Sequence, residues 1–179
     1  MAEDGTWGDY VADAGTDAGA LDVVADGMTD AATLVETAVD SIDTTALPDD
    51  VAAAVDDAGY NATEAASWSS WAEGDLADAG EWRDAAADHV SSAQEWLASG
   101  NVDGYEQEMS AAATANDIAD GVVGQANTDL SIGAEYMDSS VAAVDTAAYL
   151  STPDVSAVDT SSYDSGSYDT TVADVSSDV

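Results

Sequence analysis

A regular apolar stripe in the second half of the chain constrains the fold more than any other feature. From Tyr105, steps of four and three residues lead through Met109, Ala112, Asn116, Ala119, Val123, Ala126, Leu130, Gly133, Met137, Ser140, Val144 and Ala147. This heptad spacing, kept over about six repeats, predicts one helix about 65 Å long. One of the two stripe positions is nearly always Ala, Gly or Ser, which favours an antiparallel partner helix packed at short distance.

The partner is predicted immediately before this stripe, over residues 61–100. Its apolar positions form a wide, aromatic stripe of Trp68, Ala72, Leu76, Ala79, Trp82, Ala86, Val90, Ala93, Trp96 and Leu97. Gly100 and Asn101 are a strong helix stop and turn. Residues 61–148 therefore read as a long antiparallel helical hairpin, and we expect Trp82 and Trp96 to belong to its core.

A third helix is predicted over residues 21–42. Its stripe is Leu21, Val24, Met28, Ala31, Val35, Ala38 and Ile42, at helical spacing, with Asp and Glu between. Pro48 and the acids after it begin a short connecting helix over residues 48–58, which Gly59 is expected to end. Asn61 or Thr63 is then expected to cap the hairpin's first helix.

These elements predict an all-α fold, an elongated antiparallel bundle over residues 21–150. Residues 1–20 are rich in Gly, Asp and Ala and predict an extended, irregular N-terminal arm. Residues 151–179 form a low-complexity tail of Ser, Thr, Asp and Val, in which a Ser-Tyr-Asp piece repeats around Tyr163 and Tyr168.

The charge of the chain fixes the solvent in which this bundle can fold. The 38 acidic residues face one basic residue, Arg83, and the formal net charge is -37. Molar salt shortens the Debye length to about 3 Å and so screens the repulsion between carboxylates. The Asp-rich, Lys-free composition resembles the proteins of salt-in archaea, and the resemblance implies a haloarchaeal origin.

The same composition disfavours several classes of function. Direct nucleic-acid binding needs Lys and Arg to neutralise phosphates. The chain has no Cys, which excludes disulfides and thiolate metal sites. No apolar run approaches the roughly 20 residues of a membrane span, and the acidic N-terminus shows no secretory signal. No cofactor or metal motif stands out, and cations are expected to bind diffusely.

Two single residues are candidates for chemistry. His89 is the only histidine and lies in the tryptophan-rich helix. It is either a general base or metal ligand, or a packed side chain paired with a carboxylate such as Asp88 or Glu95, and the second reading is favoured. Arg83 is expected to pair with carboxylates in a bidentate fork.

Five residues are candidates for contacts with other protein subunits. Trp7 is a docking anchor in the N-terminal arm, and Trp71 does not share one narrow seam with the other tryptophans. Asn116 is a polar stripe position of the kind that fixes register or oligomeric state. Tyr163 and Tyr168 are the aromatic residues of the tail.

These observations favour a non-enzymatic structural protein that assembles with other subunits as a homo- or hetero-oligomer. The most concrete form of this hypothesis is a virion component (capsid, neck or tail) of a haloarchaeal virus. One alternative is an acidic helical binding module, adaptor or inhibitor in a haloarchaeal cytoplasm. Another is an enzyme that uses His89 with nearby carboxylates.

Overall fold

The computed structural model describes residues 6–151, which form an all-α bundle without strands. A short 3-10 turn, Thr44–Ala46, precedes the second half of the bundle. The four α-helices are α1 (Trp7–Ala14), α2 (Ala18–Asp40), α3 (Asp49–Ala98) and α4 (Val102–Ser151). The predicted all-α hairpin bundle is thereby confirmed. From residue 152 onward the predicted tail, with Tyr163 and Tyr168, lies outside the described residues.

Helices α3 and α4 form the hairpin, and each has 50 residues. At 1.5 Å per residue each is about 75 Å long. Gly100 closes α3 with a φ of 80°, a left-handed conformation that suits glycine. The Asn101 amide donates to the Trp96 carbonyl at 3.0 Å, and the Asn101 side chain accepts from the Gly104 amide at 3.0 Å. The predicted turn is therefore also the observed one.

A seam of small residues holds the two long helices together. On α3 its buried members follow a strict heptad spacing, Ala65, Ala72, Ala79, Ala86 and Ala93. On α4 they are Ala112, Ala119, Ala126, Gly133 and Ser140, which are also buried and one heptad apart. Small side chains let the two backbones approach closely. At one such point the buried Ser140 hydroxyl donates to the Ala58 carbonyl of the facing helix at 2.8 Å.

Helix α2 packs mainly against α3, and it creates the main core of the bundle. The largest buried apolar side chains lie in this core: Leu21, Met28, Val123, Leu130 and Met137. Toward the hairpin turn the buried cluster shrinks to Ala86, Ala112 and Ala115, with Val90 at its edge. The molecule is therefore a multi-helix base from which a two-helix rod projects.

The N-terminal arm is not irregular, as the sequence had predicted, because residues 7–14 form α1. Thr6 and Asp9 form a capping box at its start, in which the Asp9 amide donates to the Thr6 hydroxyl. The Trp7 amide donates to Asp138 of α4 at 2.9 Å, and its ring lies against Gly27 of α2. Tertiary contacts thus stabilise a helix too short to be stable alone.

The expected break at Gly59 is also wrong, because α3 runs unbroken through it. A Cβ at Gly59 would lie 3.1 Å from a Val39 methyl, so glycine here permits the close approach of α2. Asn61 and Thr63 are interior residues of α3 and cap nothing. The Thr63 hydroxyl instead donates to Glu36 of α2 at 2.8 Å, which adds to the contact between the helices.

Six residues assigned to the hairpin stripe are exposed and lie outside its core: Trp82, Trp96, Leu97, Met109, Asn116 and Val144. Trp82 and Trp96 are exposed, while alanines from the same stretch of α3 fill the seam. Asn116 is also exposed, and the neighbouring Ala115 is buried in its place. Close packing leaves no room in the seam for the Trp82 indole or the Asn116 amide, whereas the Trp96 indole lies over Gly104 of α4, where a Cβ would be 2.9 Å from the ring. A register role for Asn116 inside the hairpin is therefore wrong.

Candidate functional site

Four exposed aromatic residues follow one side of α3. Tyr60, Trp71, Trp82 and Trp96 are 61%, 58%, 41% and 44% exposed. Their spacings of 11, 11 and 14 residues correspond to about three, three and four helical turns, so they share one side of the helix over about 54 Å. We call this set the aromatic face. Trp68 meets the Trp71 ring edge-on, with centroids 4.7 Å apart, and so orients it.

Four helical glycines on the surface of the hairpin have no packing role among residues 6–151. A Cβ at Gly74, Gly80, Gly121 or Gly124 would meet nothing within 4 Å. Each glycine costs a helix about 1 kcal/mol relative to alanine. The described fold therefore tolerates four destabilising residues that none of its own contacts requires.

An apolar groove opens at the base of the bundle, where the end of α2, the start of α3 and the last turns of α4 meet. Its volume is about 500 Å³, and its lining includes Leu34, Ile42, Leu47, Val51, Val144 and Ser151. Leu34 is 73% exposed, although it is a large apolar side chain. Contiguous exposed apolar surface of this kind marks interaction sites in soluble proteins.

The two basic candidates pair with acids across the hairpin. His89 Nδ1 lies 2.7 Å from Glu108 Oε2 of α4. The sequence predicts Asp88 or Glu95 as its partner, and neither of them is. Arg83 has an Asp120 oxygen at 3.7 Å, and both side chains are largely exposed. This single long contact is not the expected bidentate fork. Both pairs join α3 to α4, and an exposed ion pair such as Arg83–Asp120 contributes at most about 1 kcal/mol.

A pair of carboxyl groups lies in a shallow polar pocket beside Trp71. Asp129 is almost completely buried, and its side chain accepts a 2.8 Å hydrogen bond from the side-chain amide of Gln125. Burial, the charges of Asp129 and Asp78, and a hydrogen bond with Asp129 raise the pKa of Asp75 above its ordinary value. No group of three or more His, Asp or Glu residues within 6–151 is placed to hold a metal ion.

Replacing Asp75 by Asn should stabilise the protein at neutral pH. Because the folded-state pKa of Asp75 is raised, the parent loses stability as the pH rises from the ordinary carboxyl pKa to the raised one, and the amide removes this penalty. In 3 M KCl the unfolding midpoint of D75N should exceed that of the parent by a few degrees at pH 7. The two should converge at pH 3, where the carboxyl is protonated in both states.

The matched control for this prediction is D117N, which removes one exposed charge of α4 and leaves the Asp75 pocket intact. Thermal unfolding followed by circular dichroism between pH 3 and pH 7 measures both variants. A midpoint for D75N that fell below that of the parent at neutral pH would show that the Asp75 carboxylate stabilises the fold.

The predicted interface residues are spread over the molecule. Trp7 is half-buried against its own bundle, Trp71 is exposed on the aromatic face, and Asn116 is exposed on α4. Contacts of these residues with other subunits stay predictions. Sequence reasoning missed the apolar groove and the Asp75–Asp129 pair. The one signal for the groove was apolar residues off the α2 stripe, such as Leu34 and Val39.

Comparisons with protein-family models, with curated proteins and with solved structures found no match to this chain. No helix in the described part of the chain combines the length and the apolarity that crossing a membrane requires. The arguments about function below therefore rest on the residues themselves.

Proposed function

We propose that this chain is a non-enzymatic structural subunit that assembles in molar salt, and most concretely a virion component (capsid, neck or tail) of a haloarchaeal virus. The observation that carries the proposal is the aromatic face of α3. Trp and Tyr are enriched at the centres of protein interfaces, where they act as anchors. Here they follow a long rigid helix and are exposed to solvent in a chain with a net charge of -37.

The hairpin suits a role as a building element. A pair of 50-residue helices spans about 75 Å with only 179 residues in the chain. The small-residue seam makes the two helices pack closely, so the rod is thin. It therefore has a large surface area for the small core that it buries. In such a rod most of the large side chains on the projecting part are available for contacts with neighbours.

We infer that the neighbours include further copies of the chain, which pair through their aromatic faces. A surface that runs along one helix can meet its own copy about a twofold axis, as most homodimer interfaces do. Gly74 supports close approach at this face, because it lies about 60° around α3 from Trp71 and a position without a side chain lets another helix lie near it. Its cost to the isolated helix is then offset in the assembly.

The virion assignment is tested by fractionating a producing culture. Lysate and supernatant are separated on density gradients in 3 M salt, and the chain is detected by mass spectrometry. The proposal predicts co-migration with particles that also contain nucleic acid and resist washing. Recovery only as a free, slowly sedimenting protein in the cell lysate would contradict it.

A second candidate function is an acidic adaptor in a haloarchaeal cytoplasm. The apolar groove favours it, because a cleft of about 500 Å³ can receive side chains of a partner protein. Pull-down from halophile lysate, with the full chain and with a chain that ends at Ser151, distinguishes the two. Specific capture of one cellular protein, with no self-association, would favour the adaptor.

A further inference from the structure

Within residues 6–151 the apolar groove is open to solvent at the base of the bundle. Residues from α2, α3 and α4 line it, and Leu34, Ile42 and Val144 are all exposed there. Molar salt screens the acids around it, so charge repulsion does not keep other acidic segments away from the apolar surface. A groove like this is expected to be covered in the working protein.

The position of Ser151 indicates what covers it. Ser151 is the last described residue of α4 and itself lines the groove. The sequence continues for 28 residues beyond it, from 152 to 179. Pro153 lies two residues after Ser151, and it has no amide hydrogen with which to continue the helical hydrogen bonds.

The first residues after this proline have suitable chemistry and length. Residues 154–158 read Asp-Val-Ser-Ala-Val, with three apolar residues in five and no basic residue. The α4 side of the groove, from Val144 to Ser151, is about 10 Å long, and a polyproline II segment, with three residues per turn and about 3.1 Å per residue, would cover it in about three residues with Val155 and Val158 on the same side. A tether this short gives an effective concentration on the order of millimolar or above, so a weak affinity suffices.

We propose that residues 154–158 of the same chain fold back from Ser151 and cover the apolar groove with Val155 and Val158. The proposal is independent of the virion assignment. It leaves Tyr163 and Tyr168 beyond the groove. The same segment from a neighbouring copy, or an apolar helix of another protein, would be a different occupant of this groove.

The natural absence of cysteine makes disulfide trapping a clean test. The full chain carrying I42C and V158C is compared with the full chain carrying T146C and V158C. Ile42 lines the groove and is 41% exposed, whereas Thr146 is exposed but lies about half a turn around α4 from the lining residues Val144 and Ala148. Residue 158 lies seven residues from Ser151 and reaches at most about 25 Å, and Thr146 is only about 8 Å along α4 from Ser151, so the tether alone allows contact with Thr146.

At low protein concentration in 3 M KCl, oxidation should form an intramolecular disulfide in I42C/V158C at least tenfold faster than in T146C/V158C. Non-reducing gels and intact-mass measurement separate monomers from dimers. Equal rates for the two variants would overturn the proposal. A product that is mainly disulfide-linked dimer would also overturn it, because the segment would then occupy a neighbour's groove.

A second measurement needs no cysteine. Replacing Val155 and Val158 by Asp should uncover the groove and raise the fluorescence of Nile red, a neutral apolar dye, several-fold in 3 M KCl. The matched control is V172D/V175D, which makes the same change farther along the chain. An equal response of both variants, or no response of V155D/V158D, would contradict the placement of residues 154–158.

Discussion

Transferring the full chain from 3 M KCl to a 50 mM buffer is expected to abolish most of its helical circular dichroism, with the loss beginning below roughly 0.5 M. The 38 acidic residues are balanced by one arginine, so nearly all charge–charge interactions are repulsive. The Debye length grows from about 3 Å at 1 M to about 30 Å at 0.01 M, which exceeds the diameter of a helix. The acids of α3 and α4 then repel each other across the hairpin.

The composition of the core explains why repulsion should prevail. The seam consists mainly of alanines, and each buries one methyl group, whereas a buried leucine contributes roughly 1.5–3 kcal/mol. Titrations with KCl and with NaCl, followed at 222 nm, test the prediction and compare general screening with a preference for one cation. Full helicity in 50 mM buffer would contradict it, and recovery after salt is restored shows that the loss is reversible.

Replacing Gly133 by Leu is expected to be the most destabilising single change in the hairpin. A Cβ on Gly133 would lie 3.0 Å from the Met28 sulfur, 3.2 Å from Trp68 Cβ and 3.4 Å from the Ala65 carbonyl. Three helices meet at this point, and a leucine must push them apart. The expected cost is about 3 kcal/mol, the upper part of the range for overpacked cores.

The same substitution at Gly124 is the matched control, because a Cβ there meets nothing within 4 Å. G124L should gain about 0.5–1 kcal/mol from helix propensity. The two variants should therefore shift urea unfolding in 3 M KCl in opposite directions, and G133L should lower the thermal midpoint by roughly 6–12 °C. Equal shifts would show that the long helices are not in close contact at Gly133.

The all-α hairpin could be predicted because one periodicity was long and the turn was explicit. The stripe from Tyr105 fixed α4, and Gly100 with Asn101 fixed its junction with α3. Two local predictions, the helix break at Gly59 and the irregular N-terminal arm, are wrong for the same reason. In both places contacts between residues distant in sequence determine the backbone conformation. Gly59 fits inside α3 because Val39 lies against it, and α1 is helical because Asp138 and Gly27 receive Trp7.

The tryptophans show a different limit of sequence reasoning. The wide stripe of α3 contains both alanines and tryptophans at heptad spacing, so it fits two ways of facing α4. Hydrophobicity alone favours Trp82 and Trp96 for the core. The distance between the backbones, which the small residues of both helices set together, selects the alanines and leaves the indoles at the surface.

The groove and the acid pair could not be predicted, since each requires the relative placement of several helices. Leu34 lies off the α2 stripe, and only the ends of α3 and α4 turn its surroundings into a groove. Asp75 and Asp129 are 54 residues apart in sequence and are two among 38 acids. Spacing alone cannot single out such a pair.

Sedimentation equilibrium of the full chain in 3 M KCl tests the central claim, self-association through the aromatic face, most directly. The parent is predicted to sediment as a multiple of 18.0 kDa. W71A/W82A should dissociate at least ten times more readily, as expected for loss of interface anchors, while V23A, which trims an exposed residue of α2, should behave as the parent. A parent that stays at 18.0 kDa at every concentration would contradict the claim.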